Sequence, residues 1–176
     1  MITKDIKKQM KEYFFLNPTK RMRIRQMERE IGIPLPSAIR YKNELREEGI
    51  LKKIELADTI MFQADRSSKK FLLEKKLFNL RMLFESGLVD YLVDGYNNAT
   101  IIVFGSYSRG EDIEGSDIDI YLETALSPIN LEKFEKKLQR NIQLFNFKKI
   151  HSVKNKELAN NIINGIVLNG FVEVFK

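Results

Sequence analysis

Apolar residues recur every three or four positions through most of the first half of the chain, a spacing that predicts amphipathic helices. The predicted helices cover residues 3–15, 22–31, 37–48, 67–85 and 88–96. Two short runs interrupt them, at 50–55 and 60–64, and their composition predicts a pair of strands with Asp58 and Thr59 in the turn. Asn17-Pro18 ends the first helix, and Ser37 is expected to support the start of the third.

The pattern changes after Asn97-Asn98. Thr100 to Phe104 is a continuous apolar run, as expected of a strand buried on both faces. Further strands are predicted at 117–122, 142–147 and 171–175, with helices at 130–140 and 156–168. Strands that alternate with helices predict a mixed α/β sheet in the second half of the chain.

The charge differs between the two halves. Residues 1–86 hold 20 Lys and Arg against 12 Asp and Glu, whereas residues 87–176 hold 10 against 12. An excess of positive charge in one half indicates an anionic partner for that half, although solvated lysine-rich helices are also common.

The residue types that are missing exclude several kinds of chemistry. The chain has no Cys and a single His, His151, so disulfides, thiolate zinc sites and multi-histidine sites are excluded. A metal would need oxygen ligands, which favours magnesium, manganese or calcium. Neither a transmembrane segment nor a signal peptide is visible, so we expect a cytoplasmic protein that makes no membrane contact.

Two carboxylates and a glycine form the candidate catalytic site. Period-two geometry places Asp117 and Asp119 on one face of a strand, with Cα atoms about 6–7 Å apart, where both can reach a divalent cation. Earlier in the chain, a strand ends at Gly105, where the backbone can approach a ligand closely. The backbone N–H groups from Ser106 onward would suit phosphate oxygens. The sequence therefore predicts a phosphate-binding turn facing a metal-binding strand.

The spacing of these residues, Gly-Ser, ten residues, then Asp-x-Asp, resembles the minimal nucleotidyltransferases of the DNA polymerase β superfamily. Arg109-Gly110 and Ser116 fit the same pattern, and the resemblance covers about residues 70–176. It implies a nucleotidyltransferase fold, an α/β domain of the α+β type with a mixed sheet.

The resemblance also implies a reaction, the transfer of a nucleoside monophosphate from a nucleoside triphosphate to a hydroxyl group. Gly105 and Ser106 would hold the phosphates, and Arg109 would contact them. Asp117 and Asp119 would be the catalytic metal ligands, with Mg²⁺ or Mn²⁺ as the metal and ATP as the nucleotide.

The sequence departs from the family at one position. The family has a third carboxylate on the next core strand, where this chain reads Ile-Gln-Leu-Phe-Asn-Phe over residues 142–147. Gln143 or Asn146 stands at the expected place, and an amide can bind a metal but cannot accept a proton. Glu123, at the end of the Asp117 strand, is a candidate substitute.

The order helix, helix, helix, hairpin resembles the winged helix-turn-helix family over about residues 1–65. We therefore predict two domains, a winged helix-turn-helix domain at 1–66 and a nucleotidyltransferase domain at 67–176, the latter opening with connecting helices at 67–96. The resemblance implies a contact with duplex DNA. The candidate residues are Ser37, Arg40 and Asn43 on the third helix and Lys52 and Lys53 at the wing.

Three functions follow from these resemblances. The first is a transferase that modifies a protein or a small molecule and carries a DNA-binding module. The second is an inactive transcriptional regulator whose second domain senses nucleotide or dimerises, and the third is an antitoxin that acts on a partner toxin. Helix 67–85 has more apolar positions than one face needs, which predicts a homodimer through Phe78 and Leu83 unless the helix packs on both of its own domains.

Overall fold

The computed structural model describes residues 5–125 and 129–174. The chain divides into two compact units, Met1–Phe78 and Asn79–Lys176, called here the N-terminal and C-terminal units. The predicted boundary after residue 66 lies earlier than this division, which falls inside one helix. Among the described residues, no helix is both long enough and apolar enough to cross a membrane.

The N-terminal unit consists of three helices followed by a hairpin and the first part of a fourth helix. These elements are α1 (Ile6–Leu16), α2 (Ile24–Ile31), α3 (Leu35–Glu47), β1 (Leu51–Leu56), β2 (Thr59–Ala64) and α4 (Lys69–Glu85). The hairpin is antiparallel, with Leu51 opposite Ala64 and Leu56 opposite Thr59. The order and type of these elements agree with the order predicted from the sequence.

The helix starts in this unit differ from the prediction by two or three residues, and the local structure explains two of them. Met22 forms an antiparallel bridge with Phe62, so α2 begins only at Ile24, where the Gln26 side chain accepts a hydrogen bond from the Arg23 N–H. Ser37 does not precede α3 but lies in its first turn, because the helix already begins at Leu35 after Pro34. Pro36 lies in this first turn, where its missing N–H would have no intrahelical partner.

Aromatic and sulfur-containing side chains form the core of this unit. Met10, Phe14, Met22 and Met27 are fully buried. The ring of Phe15 on α1 lies 5.6 Å from the ring of Phe71 and 5.4 Å from that of Phe78, both on α4. The same contact buries Lys75, whose Nζ donates to the carbonyl oxygen of Phe15.

The C-terminal unit is built on a four-stranded mixed sheet with the order β5–β4–β3–β6. Its elements after α4 are α5 (Leu88–Gly95), β3 (Ile101–Phe104), α6 (Gly105–Arg109), β4 (Ile118–Glu123), α7 (Glu132–Leu138), β5 (Ile142–Phe147), α8 (Lys156–Ile163) and β6 (Ile166–Asn169). β3 pairs antiparallel with β4 and β6, and β4 pairs parallel with β5. The mixed sheet predicted from the sequence is confirmed and fits a nucleotidyltransferase fold.

The two faces of the sheet have separate cores. Ile101, Val103, Ile118 and Ile120 belong to the larger core, which includes Phe134 of α7 and residues of α5. Ile102, Phe104 and Tyr121 point to the opposite face, together with Ile162 of α8. On β4, residues 119, 121 and 123 share this second face, because side chains alternate along a strand. The Asp119 carboxylate therefore leaves the sheet on the side covered by α8.

The end of the chain differs from the prediction. Residues 156–168 are not one helix, since α8 ends at Ile163 and residues 166–169 form β6 against β3. A β-carbon on Gly165 would come 2.6 Å from the side chain of Ile102 and 2.7 Å from the carbonyl oxygen of Val103. Glycine is therefore needed where the chain approaches β3. Residues 171–174 form no strand, and the remainder of the strand predicted at 171–175 lies outside the described residues.

Helix α4 exposes a different set of apolar residues from the set predicted to form an interface. Phe78 and Leu83 are buried, Leu83 fully, so neither side chain is available on the surface. The exposed apolar side chains are Leu73 and Leu77 in the N-terminal unit and Phe84 in the C-terminal unit. Leu73 and Leu77 lie one turn apart on the same side of the helix.

Candidate active site

The chain turns sharply where β3 ends. Gly105 has φ +70, in the left-handed region that favours glycine, and it begins the five-residue helix α6. Within this turn the Ser108 hydroxyl donates to the carbonyl oxygen of Gly105, and the Glu111 N–H donates to the carbonyl oxygen of Ser106. Ser106 is half-buried at the second position of α6, so it lies directly beside the glycine.

Asp119 faces this turn across the sheet. Its Cα is the register partner of that of Phe104, the last residue before Gly105. A β-carbon on Gly105 would lie 2.2 Å from Oδ2 of Asp119, so the absence of a side chain on the glycine makes room for the carboxylate. Asp119 is half-buried and Asp117, just before β4, is exposed. The structure thus brings together the glycine turn and the carboxylate strand of the motif.

The environment of Asp119 disfavours its negative charge. Burial raises the pKa of the Asp119 carboxyl above its ordinary value, and the neighbouring Asp117 carboxylate raises it further, while the positive charge of Arg109 opposes both. A divalent cation between the two carboxylates would offset both effects. The two carboxylates are oxygen ligands of the kind that a hard cation such as Mg²⁺ prefers.

Two of the residues next to the carboxylates, Gln143 and Asn141, carry amides. In the described part of the chain, no cluster of three or more His, Cys, Asp or Glu side chains is placed to hold a metal. Gln143 on β5 is the register partner of Asp119 and shares its face, so it occupies the third position of the site. Asn146 points to the other face of the sheet, which decides between the two candidates for this position in favour of Gln143.

Glu123 is a poor substitute for the third carboxylate. It lies four residues along β4 from Asp119, a distance of roughly 13 Å. One of its carboxylate oxygens accepts a hydrogen bond from the Tyr121 hydroxyl at 3.0 Å, and the other pairs with Lys149 Nζ at 2.8 Å. Both oxygens of Glu123 therefore serve contacts away from the Asp117–Asp119 pair.

One residue at the site was missed by sequence reasoning. Asn141 Nδ2 donates to Oδ1 of Asp117 at 3.3 Å, and the Asn141 carbonyl oxygen accepts from the Ile118 N–H at 2.8 Å. Asn141 therefore holds the start of β4 through both its side chain and its backbone. Nothing in its sequence context marks it, because the contact depends on the parallel pairing of β4 with β5.

A buried polar cluster supports the loop between the glycine turn and β4. Asp112 is 1% exposed, and its carboxylate accepts from Asn79 Nδ2 at 2.7 Å and lies 3.9 Å from Arg140 Nη2. Asn79 Nδ2 also donates to the carbonyl oxygen of Tyr107 in α6. These contacts connect α6 and the loop that follows it to α4 and to Arg140, which precedes Asn141 in the chain.

The other motif residues have structural partners. Arg109 is exposed, and its Nε donates to Glu111 Oε2 at 2.7 Å. Ser116 Oγ accepts from the Ile113 N–H and closes the turn that leads into Asp117. A cleft of about 370 Å³ adjoins this turn, and Ser116, Lys136, Arg140 and Asn141 are among the residues that line it. Arg109 remains close enough to Asp119 to lower its pKa.

The residues predicted to contact DNA occupy several surfaces of the N-terminal unit. On α3, Ser37 is half-buried and Asn43 is exposed. Arg40 is also exposed, pairs with Glu44 at 2.9 Å and lies over the ring of Tyr41. On β1, Lys52 and Lys53 are consecutive and so point to opposite faces of the hairpin, with Lys52 3.8 Å from Asp65.

Comparison with known proteins gives one family and one relative. The family model described as "Nucleotidyltransferase domain" matches residues 86–168. A protein of Methanocaldococcus jannaschii named "Putative protein adenylyltransferase" is 48% identical over 44 residues, which are 25% of this chain and 51% of that protein. The match thus spans about half the length of that relative. No solved structure matches this chain. The family match and the mixed sheet together support a nucleotidyltransferase domain over residues 86–168.

Proposed function

We propose that this chain transfers a nucleoside monophosphate from a nucleoside triphosphate, with ATP as the donor, to a hydroxyl group of a protein. The observation that carries the proposal is the close approach of the Asp119 carboxylate to Gly105. A carboxylate that could hold a cation therefore lies beside a turn whose backbone N–H groups would suit phosphate oxygens. The name of the archaeal relative supports a protein acceptor and an adenylyl group. A small-molecule hydroxyl is the alternative acceptor.

The residues divide the task between binding and positioning. Gly105 and Ser106 would bind the phosphates, and Asp117 and Asp119 would hold Mg²⁺ or Mn²⁺. The cation, when bound, neutralises charge on the phosphates as the reaction proceeds. Asn141 orients Asp117, and the Asp112 cluster keeps α6 and its loop in place. Arg109 could contact a phosphate if it left its ion pair with Glu111. That pair is exposed, so it contributes little to stability in water.

The proposed reaction is a substitution at phosphorus and needs neither an oxidant nor a reductant. The acceptor hydroxyl oxygen forms a bond to the α-phosphorus, and the bond from that phosphorus to the bridging oxygen breaks. Pyrophosphate leaves with the bonding electron pair, and the hydroxyl proton passes to water. The turn, together with the cation that the two carboxylates would hold, would position the triphosphate so that the attacking and leaving oxygens lie in line.

The test uses nucleoside triphosphates labelled at the α-phosphorus, incubated with Mg²⁺, the protein and cell extract. We expect the wild-type protein to label a protein in the extract, and we expect the double variant Asp117→Asn with Asp119→Asn to lose this labelling. Asp94→Asn, which changes an exposed carboxylate on α5, should keep it. Label at the γ-phosphorus should not be transferred. Labelling that survives in the double variant, or that comes from the γ-phosphorus, would reject nucleotidyl transfer at this site.

A second function concerns the N-terminal unit, for which we propose binding of duplex DNA. Support comes from its helix–hairpin order, its 15 Lys and Arg against 10 Asp and Glu over residues 1–66, and the exposed Arg40, Asn43 and Lys53. Such binding would localise the transferase or let it regulate its own expression. If the chain transfers no nucleotidyl group, the regulator and antitoxin hypotheses become the leading ones. A partner toxin would favour the antitoxin hypothesis.

A further inference from the structure

The third position of the site carries an amide where a second cation would need an acid. Gln143 is exposed, shares a face with Asp119 and is its register partner in the parallel β4–β5 pair. Adjacent strands are about 4.8 Å apart, so the side chain of residue 143 can reach a cation held by Asp119. The other nearby candidate, Asn141, also carries an amide and already donates to Asp117.

The charge at this site suits one cation better than two. A Mg²⁺ ion is commonly held by one or two carboxylates together with substrate phosphates, and Asp117 with Asp119 meets that need. Two such ions about 3.5–4 Å apart repel each other, so the second ion needs further negative charge close to it. A Gln143 amide has an oxygen to offer but no charge, and it cannot accept the proton of an attacking hydroxyl.

We propose that Gln143 limits this site to a single divalent cation, the one that accompanies the nucleotide, and that the chain therefore binds the metal–nucleotide complex but transfers the nucleotidyl group slowly. This inference rests on the proposed function, because it concerns the same site. In the slow reaction the proton of the acceptor hydroxyl passes to water. A carboxylate at position 143 would accept that proton and supply the missing charge.

The substitution Gln143→Glu tests the idea with little change of shape, since the two side chains have the same length. Gln143→Asp serves as a second variant with a shorter side chain. Asn97→Asp is the matched control. This substitution adds the same negative charge at an exposed residue away from the site, because Asn97 precedes β3 and Gly105 follows the opposite end of that strand. Circular dichroism checks that all three variants fold.

The first measurement is the number of Mn²⁺ ions bound per chain, read from the electron paramagnetic resonance signal of free Mn²⁺. The protein is mixed with an equal concentration of the α,β-methylene analogue of each ribonucleoside triphosphate in turn, which binds without being cleaved between the α- and β-phosphates. We expect one bound ion for wild type and for Asn97→Asp, and two for Gln143→Glu or Gln143→Asp. The second measurement is the rate of label transfer from the α-phosphorus, which should rise about 10²- to 10⁴-fold in a position-143 variant that gains the general base.

Two results would overturn the inference while leaving nucleotidyl transfer intact. They are two Mn²⁺ ions bound to the wild-type complex, and one ion together with an unchanged rate in both position-143 variants. Failure of every analogue to bind to wild type would reject the proposed function itself, and this inference with it. Because the free analogue also binds Mn²⁺, its binding to the protein is measured separately by equilibrium dialysis. Dialysis and the ion count together separate the two failures without depending on turnover.

Discussion

Asp119 lies so close to Gly105 that a β-carbon on the glycine would come 2.2 Å from Oδ2 of the carboxylate. Gly105 also has φ +70, which L-residues with side chains rarely adopt. The glycine is therefore required twice, for the turn into α6 and for the position of the carboxylate. A substitution here acts on the proposed metal site and on the fold together.

Gly105→Ala should displace the Asp119 carboxylate and weaken binding of the Mn²⁺–nucleotide complex by at least about tenfold, with a loss of stability of about 1–3 kcal/mol. The measurement is calorimetric titration of the nucleotide analogue in the presence of Mn²⁺, with urea denaturation alongside. Gly115→Ala is the control, because a β-carbon there meets no atom within 4 Å. Equal effects of the two substitutions would show that the contact with Asp119 has no consequence for binding.

The buried Asp112 carboxylate should contribute more to stability than the exposed carboxylate of its neighbour Glu111. Asp112→Ala removes a buried carboxylate that lies 3.9 Å from the guanidinium of Arg140, whose side chain is 6% exposed. Removing one member of a buried ion pair costs about 3–5 kcal/mol of unfolding free energy. Glu111→Ala, which breaks an exposed pair with Arg109, should cost less than about 1 kcal/mol. Urea denaturation followed by circular dichroism distinguishes these values, and similar losses in both variants would contradict the burial argument.

Tyr107 should make the C-terminal unit sensitive to alkaline pH. Its side chain is buried, and burial raises the pKa of the Tyr107 phenol well above its usual range, with the Asp112 carboxylate adding to the rise. In the unfolded chain the pKa returns to about 10. The folded state then binds the proton more tightly, so its contribution to stability is complete below about pH 10 and is lost as the pH rises further.

Tyr107→Phe should therefore reduce the loss of stability between about pH 10 and pH 12. The phenylalanine keeps the ring and removes only a hydroxyl that donates to the Asn79 carbonyl oxygen at 3.4 Å. Thermal unfolding at a series of pH values provides the measurement. Tyr41→Phe, in the N-terminal unit, is the control and should leave the alkaline slope of the C-terminal unit unchanged. An alkaline slope identical to wild type in Tyr107→Phe would refute this linkage.

The sequence predicted the parts of the site that depend on local spacing. The strand before Gly105 follows from a continuous apolar run, and it is confirmed. Period-two alternation predicts that Asp117 and Asp119 share a face; the structure places Asp119 on β4 and Asp117 just before it. The choice between Gln143 and Asn146 could not be made in this way, because it depends on which residue of β5 pairs with Asp119. Register between strands is set by packing across the sheet, which a single sequence does not display.

The end of the C-terminal unit shows the same limit. The segment from Ile162 to Leu168 is compatible with a continued helix, whereas in the structure residues 166–169 pair with β3 and Gly165 lets the chain approach Ile102. The Asp112 cluster is equally hidden, since Asn79 and Asp112 are 33 residues apart. Contacts of this kind become visible only when distant segments are placed in space.

Association should involve Leu73 and Leu77 if the chain forms the homodimer predicted from α4. The two side chains are 53% and 57% exposed and lie one turn apart in the N-terminal unit. Leu73→Glu with Leu77→Glu should convert a dimer to a monomer without loss of fold, whereas Lys70→Glu, on the same helix, should not. Light scattering at tens of micromolar decides. A monomeric wild type rejects the dimer, and a dimer that survives the double variant places the interface elsewhere.

DNA binding by the N-terminal unit should depend on phosphate contacts and therefore on salt. Removal of one cationic side chain that binds a phosphate should lower the slope of log affinity against log salt concentration by about one. Arg40→Ala is expected to show this change, and so is one of Lys52→Ala and Lys53→Ala. The two lysines point to opposite faces of the hairpin, so only one of them can reach the same duplex surface. Fluorescence anisotropy with a labelled duplex at several salt concentrations provides the measurement, with Lys8→Ala on α1 as the control.

Ser37 and Asn43 would contact base edges instead, so their replacement should change sequence preference more than the salt slope. Absence of binding at low salt, or equal effects of Lys8→Ala and Arg40→Ala, would remove the case for a DNA-binding surface on α3 and the hairpin.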